Sequence, residues 1–219
     1  MKKSLRFIGI LFMGISAAVT LLGGVGTTCV ALNAAAYDSM KAIANYQWQY
    51  IAYVLIGVAL GVLGIRATIQ LIRAKKDAEK SALIILAASI VIGEIHIITS
   101  RALRGSSMPV DGVVYINALT LIIFLLFQIP KIKELSLYDK ETADDATASG
   151  GMTAFVAGLL VLSVQMWAGP THLLDGINYA DAFHNTLLGI GSVLVIFGLA
   201  LISKALLYVP KRKAVKVEA

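Results

Sequence analysis

"ALIILAASIVIGEIHIITS", residues 82–100, contains no Lys or Arg and a single carboxylate, Glu94. At ~1.5 Å of rise per residue its helix is about 28 Å long, close to the thickness of a bilayer's hydrocarbon core. In lipid a helix satisfies its backbone amides within the segment, so an isolated apolar run of this length reads as a spanning helix. Runs of the same character recur at 7–30, 50–72, 113–130, 151–168 and 185–208. The whole chain agrees: 58% of its 219 residues are hydrophobic and 15% charged, and its mean hydropathy is +0.81. An ordinary soluble domain carries about 25% charge. The expectation is an all-α, polytopic integral membrane bundle with six transmembrane helices. A single domain covers 1–219, because no connector is long enough to bury a water-soluble core.

The opening "MKKSLRFIGILFMGISAAVTLLGG" has the basic start and apolar core of a secretory signal. Its apolar character continues through "VGTTCVALNAAAY", so it is read as the first span. Six crossings return the chain to the side it began on. Lys2, Lys3, Arg6, Arg73, Lys75, Lys76, Lys80, Lys131, Lys133, Lys140, Lys211, Arg212, Lys213 and Lys216 flank one side of the bundle. Lys41, Arg101 and Arg104 flank the other. Fourteen cations against three predict cytoplasmic termini in a cytoplasmic membrane. The same clustering assigns the net charge of +6 to membrane flanks and not to nucleic acid. Cys29 is the only cysteine, which excludes an intramolecular disulfide, a CxxC redox pair and haem attachment through C-x-x-C-H. Residues 131–150 form the longest inner connector, read as a solvated linker. "TTCVALNAAAYDSMKAIANYQWQY" either extends the first helix or makes a short amphipathic outer segment.

Glu94 lies about 18 Å along its helix from residue 82, deep enough that a carboxylate needs a proton, a partner or a watery cavity. It is expected to face the bundle interior, either binding a ligand or donating a hydrogen bond to a neighbouring helix. Arg101 or Arg104 is the expected counter-charge, while Arg66 sits too far inward and snorkels to the inner headgroups. His96 and His184 match in depth near the outer surface, so both are candidates for one polar pocket or for axial ligation of haem iron. The last outer loop, "GPTHLLDGINYADAFHNT" (169–186), adds His172, Asp175 and Asp181. With His184 these offer nitrogen and oxygen ligands to a divalent metal. Equally, the His–Asp spacings serve turns and helix ends, and Asn185 is expected to cap the sixth helix. Gly57 and Gly61 have the small-xxx-small spacing that lets two helix backbones approach.

Three function classes fit these residues. The first is a membrane protein that binds or transports a small molecule or ion through an outward-facing polar pocket, with Glu94, His96, Arg101, Asp181 and His184 as substrate contacts. In size and six-span topology this chain is similar to the vitamin-binding subunits of energy-coupling transporters, an analogy of architecture alone. The second is a noncatalytic accessory subunit of a membrane complex, its polar groups touching neighbouring chains. The third is an electron-transfer subunit holding haem or a metal on its histidines.

Overall fold

The computed structural model describes residues 2–133, 143–168, 172–174 and 176–207. Asp175 and the predicted inner-side cations Lys140, Lys211, Arg212, Lys213 and Lys216 lie outside the described residues. The chain forms α1 (Lys2–Gly26) and α2 (Thr28–Leu32), then 3-10 turns over Ala34–Ala36 and Asp38–Tyr46. It continues through α3 (Gln47–Ile72), α4 (Ala78–Arg104), α5 (Val110–Phe127), the short α6 (Pro130–Lys133), α7 (Ala143–Leu162) and α8 (Val164–Ala168). A two-residue ladder of β1 (Leu173–Leu174) and β2 (Ile177–Asn178) precedes α9 (Tyr179–Ala182) and α10 (His184–Leu207).

Among the described residues, five stretches are long and apolar enough to cross a membrane: Ser4–Leu32, Met40–Ile72, Ala78–Arg104, Val110–Phe127 and His184–Leu207. The all-α membrane bundle expected from the sequence is therefore what forms. The expected span at 151–168 differs. Its helix begins earlier, at Ala143, and breaks at Ser163, leaving an apolar helical stretch of 16 residues, Thr147–Leu162. Ser163 donates to the Leu160 carbonyl at 3.0 Å, and such local side-chain bonding competes with the regular helix.

Packing follows the small residues. In α3, Gly57, Gly61 and Gly64 face Gly24, Leu21 and Ala17 of α1; a Cβ on Gly61 would stand 2.7 Å from the Leu21 Cα. A second close pair joins α7 to α10. Gly151 and Gly158 lie seven residues apart, as do Gly198 and Gly191 opposite them, so the same face of each helix meets twice. A Cβ on Gly158 would stand only 2.8 Å from the Gly191 carbonyl oxygen. α10 buries little besides these glycines, and Leu188, Val193, Ile196 and Phe197 face outward.

The helices alternate in direction. Arg6 on α1, the end of α3 at Ile72 and Gly150 on α7 share one end of the bundle. Tyr50 on α3 and Ser100 on α4 share the other, as do Gln165 on α8 and His184 on α10. These are termed the inner and outer ends, after the charge distribution. The inner half is dry: Ile10, Met13, Leu71, Leu86 and Phe124 are each no more than 1% exposed. Arg6 is fully buried beneath it and donates to the Ile72 carbonyl at 3.1 Å and the Leu71 carbonyl at 3.5 Å. A cation thus satisfies the Ile72 carbonyl, which α3 leaves open at its C-terminus, and adds a second donor to that of Leu71.

Candidate functional site

Toward the outer end, α1, α3, α4 and α5 separate around a cavity of about 70 Å³. Small residues create the space: Gly23 and Gly24 on α1, Gly57 on α3 and Gly93 on α4. One wall is aromatic. His96 stacks on Tyr53, with ring centroids 4.3 Å apart and planes 18° from parallel, and Tyr50 meets the imidazole edge-on at 5.3 Å. Hydrogen bonds hold both phenols. The Tyr50 and Ser100 hydroxyls are 2.8 Å apart, the Tyr53 and Thr99 hydroxyls 3.1 Å, and Gln49 Nε2 donates to the Tyr53 oxygen at 2.7 Å.

The opposite wall belongs to α1 and α5. Asn117 donates through Nδ2 to the Thr20 hydroxyl at 3.0 Å and the Val113 carbonyl at 2.9 Å. One turn further in, the Ser16 and Thr120 hydroxyls are 2.7 Å apart. Beneath them lies the dry core of Met13 and Phe124, so the cavity ends blindly before the inner half. At its outer edge are Pro109, which follows a cis peptide bond, and Val110.

The hydrogen-bonding capacity of this wall is only partly used. Among the described residues, neither ring nitrogen of His96, nor the Asn117 carbonyl oxygen, nor the Ser89 hydroxyl makes a hydrogen bond, and all three side chains line the cavity. Among the described residues, its lining contains no Asp, Glu, Lys or Arg. Burying an ion there would be costly, whereas a neutral group that donates and accepts would recover the unspent bonds. One water needs roughly 15 Å³ of such volume. The cavity therefore admits a few waters or a solute of a few heavy atoms, far less than a haem.

The other sequence-predicted residues do not gather here. Glu94 is exposed on the outer surface of α4, in line with Ile84, Val91 and Ile98, instead of facing the interior. The positions of α4 that pack inward are Ala82, Leu86, Ser89, Ile97 and Ser100, and helical spacing puts Glu94 away from them. Arg101, its expected counter-charge, turns to Asp111 instead. Arg101 Nη2 lies 2.5 Å from Asp111 Oδ1, and its Nε donates to the Ser107 hydroxyl at 2.9 Å. Ser107 in turn donates to Asp111 Oδ2 at 2.7 Å. Arg104 donates to the Met108 carbonyl at 2.9 Å. These contacts fix the α4–α5 connection at the outer end.

The loop histidines serve separate structures. His172 Nε2 donates to the Gly26 carbonyl at 2.7 Å, docking the loop on the end of α1. His184 Nδ1 donates to Gln165 Oε1 at 3.0 Å, and Gln165 Nε2 donates to Asp181 Oδ1 at 3.1 Å. Gln165 thus stands between the two residues expected to share a metal. Among the described residues, no three His, Cys, Asp or Glu side chains gather at metal-binding distance. Nor does any hydrogen bond or ring contact among them join His96 to His184. Asn185 sits in the first turn of α10 rather than capping it, because the helix already starts at His184; Asn178 instead caps α9, accepting from the Ala180 amide at 3.0 Å.

Sequence reasoning missed Thr20, Tyr53, Ser89 and Asn117. A signal was present: Ser16 and Thr20, four residues apart, and Asn117 and Thr120, three apart, are isolated polar pairs on single faces of apolar spans. Comparison with family models, with curated proteins and with solved structures finds no match to this chain.

Proposed function

We propose that this integral membrane protein binds a small, neutral, hydrogen-bonding solute in the cavity beside His96, reached from the outer side of a cytoplasmic membrane. The observation that carries the reading is the set of unspent groups on one small cavity: the His96 ring nitrogens, the Asn117 carbonyl and the Ser89 hydroxyl. The one-sided Lys and Arg flanks support cytoplasmic termini and an outward-facing mouth. Transport would require α1 to part from α5 at Ser16 and Thr120, because the cavity is closed below that pair. The test is ligand-observed NMR of the protein in mild detergent against formamide, urea and glycerol. Saturation transfer to one of these, lost in the Asn117→Leu and His96→Leu variants, is expected. Equal transfer to wild type and both variants would overturn the reading.

A second reading, an accessory subunit of a membrane complex, draws on Glu94. It lies about 4.5 Å from the midpoint of α4 on an exposed apolar face. A charged side chain at that depth costs roughly 2.5–3.5 kcal/mol or more unless something answers it. A neighbouring helix bearing a cation or hydrogen-bond donor would do so. Co-purification of a stoichiometric membrane partner from native membranes, abolished by Glu94→Leu and retained by Glu94→Gln, is the expected result for this reading. Retention in both variants would remove Glu94 from any such contact.

A further inference from the structure

The inner end of α3 carries a second feature, separate from the His96 cavity. A groove of about 680 Å³ runs along the outward face of the helix and under the turn that follows it. Its upper part is apolar: Val62 is 54% exposed, Ile65 41% and Ile69 43%. Its lower part carries four cations, Arg66, Arg73, Lys75 and Lys76. Positions 62, 65, 66, 69 and 73 recur every three or four residues, which places them on one face of the helix.

The turn brings the last two cations back beside the first two. Ala74 adopts a left-handed conformation (φ 47°), the Ala74 amide donates to the Leu71 carbonyl at 3.1 Å, and the Lys75 amide donates to the Gln70 carbonyl at 3.0 Å. This pair of bonds ends the helix in a Schellman motif and fixes the direction of the chain beyond it. Among the described residues, Asp77 is the only carboxylate lining the groove, and none of the four cations forms an ion pair. Arg73, Lys75 and Lys76 alone would be an ordinary membrane flank. Arg66 is different: it sits two turns inside the apolar stretch and is exposed there. Its long stem lets the guanidinium bend toward the level of Arg73, converging on the same region.

We propose that this groove binds the phosphate-bearing headgroup of an anionic phospholipid. Arg66, Arg73, Lys75 and Lys76 surround the phosphate, and an acyl chain lies along Val62, Ile65 and Ile69. Guanidinium groups supply paired donors to phosphate oxygens, and the apolar strip directly above them matches an amphiphile better than a soluble anion.

Native mass spectrometry of the detergent-purified protein with added phosphatidylglycerol or phosphatidylcholine tests the assignment. Wild type is expected to retain phosphatidylglycerol preferentially. The doubly substituted Arg66→Gln/Arg73→Gln protein should lose that preference by on the order of tenfold, and so should Lys75→Gln/Lys76→Gln. A control of equal charge change at the same end, Lys131→Gln/Lys133→Gln, should keep it. Equal loss in the control, or no loss in either groove variant, would overturn the site in favour of diffuse charge attraction. Displacement of the lipid by inorganic phosphate at equal concentration would overturn the lipid assignment in favour of a soluble anion.

Discussion

The imidazole of His96 lies flat against the phenol of Tyr53, 4.3 Å between centroids, so the side chain facing the cavity is held by a ring from a different helix. The stack and the hydroxyl contacts of Tyr53 are separable. Tyr53→Phe keeps the ring and loses the bonds to Gln49 and Thr99. Tyr53→Leu loses both. Aromatic pairs contribute about 0.5–1.5 kcal/mol beyond the area they bury. The Leu variant should therefore be less stable than the Phe variant by about that amount in equilibrium unfolding. Equal stability of the two would mean that the stack does not position His96.

The contact of α7 with α10 should be the bundle's most sensitive seam. A side chain at Gly158 would meet the Gly191 carbonyl and Val195 at 2.8 Å, and backbone cannot give way as a flexible side chain would. Gly158→Val is expected to destabilise by about 1–3 kcal/mol, the cost of overpacking a close contact. Gly189→Val offers the control, because no atom lies within 4 Å of a Cβ built there. Both variants carry the same change of residue in a helix, so unfolding them in one detergent isolates the effect of the contact. Equal loss of stability in the two would mean that α7 and α10 do not meet closely at Gly158.

How far the sequence could be read follows from this contrast between helix and face. Run length marks the spans, because a helix must match the bilayer whatever surrounds it. The spacing of Gly57 and Gly61 was also legible, and both meet α1 as that spacing implies. Which way Glu94 points was not. In a helix that is apolar all round, lipid and protein interior look alike, so hydropathy carries no orientation. The break at Ser163 was hidden for a similar reason, since apolar residues continue on both sides of it. The loop residues failed differently. Their types suit a metal, but Gln165 and the Gly26 carbonyl, distant in sequence, take up His184 and His172.

Topology gives a direct check on the direction assigned to the bundle. In a Cys29→Ser background, a membrane-impermeant maleimide should label Asn178→Cys in intact cells and label Lys131→Cys only after permeabilisation. The two positions lie at opposite ends, Asn178 beside α9 and Lys131 after α5. The reverse pattern would invert the protein and place the His96 cavity on the cytoplasmic side.

The α4–α5 connection rests on Asp111, whose carboxylate receives both Ser107 and Arg101. Asp111 is 5% exposed, while the Arg101 side chain is 57% exposed, so solvent screens much of the charge attraction. Losing the carboxylate still strands a buried hydroxyl. Asp111→Leu, which removes both acceptor oxygens, is expected to cost about 1–3 kcal/mol. A double-mutant cycle with Arg101→Met should give a coupling that is a minor part of the loss, with most of it assigned to Ser107. A coupling equal to the whole loss would make the ion pair, not the hydroxyl, the stabilising contact.

Ala74 holds φ at 47°, a conformation that costs an L-residue roughly 1–2 kcal/mol, at a position where helices usually place glycine. Glycine removes that strain but raises the entropy of the unfolded chain by roughly 0.5–1 kcal/mol. The difference favours Ala74→Gly by about 0.5–1 kcal/mol, whereas the β-branched Ala74→Val should destabilise by more than that. Thermal unfolding in one detergent, with wild type and both variants side by side, reads the order directly. Gly above Ala above Val is expected. If Gly proves the least stable, Ala74 does not hold the left-handed conformation that ends α3.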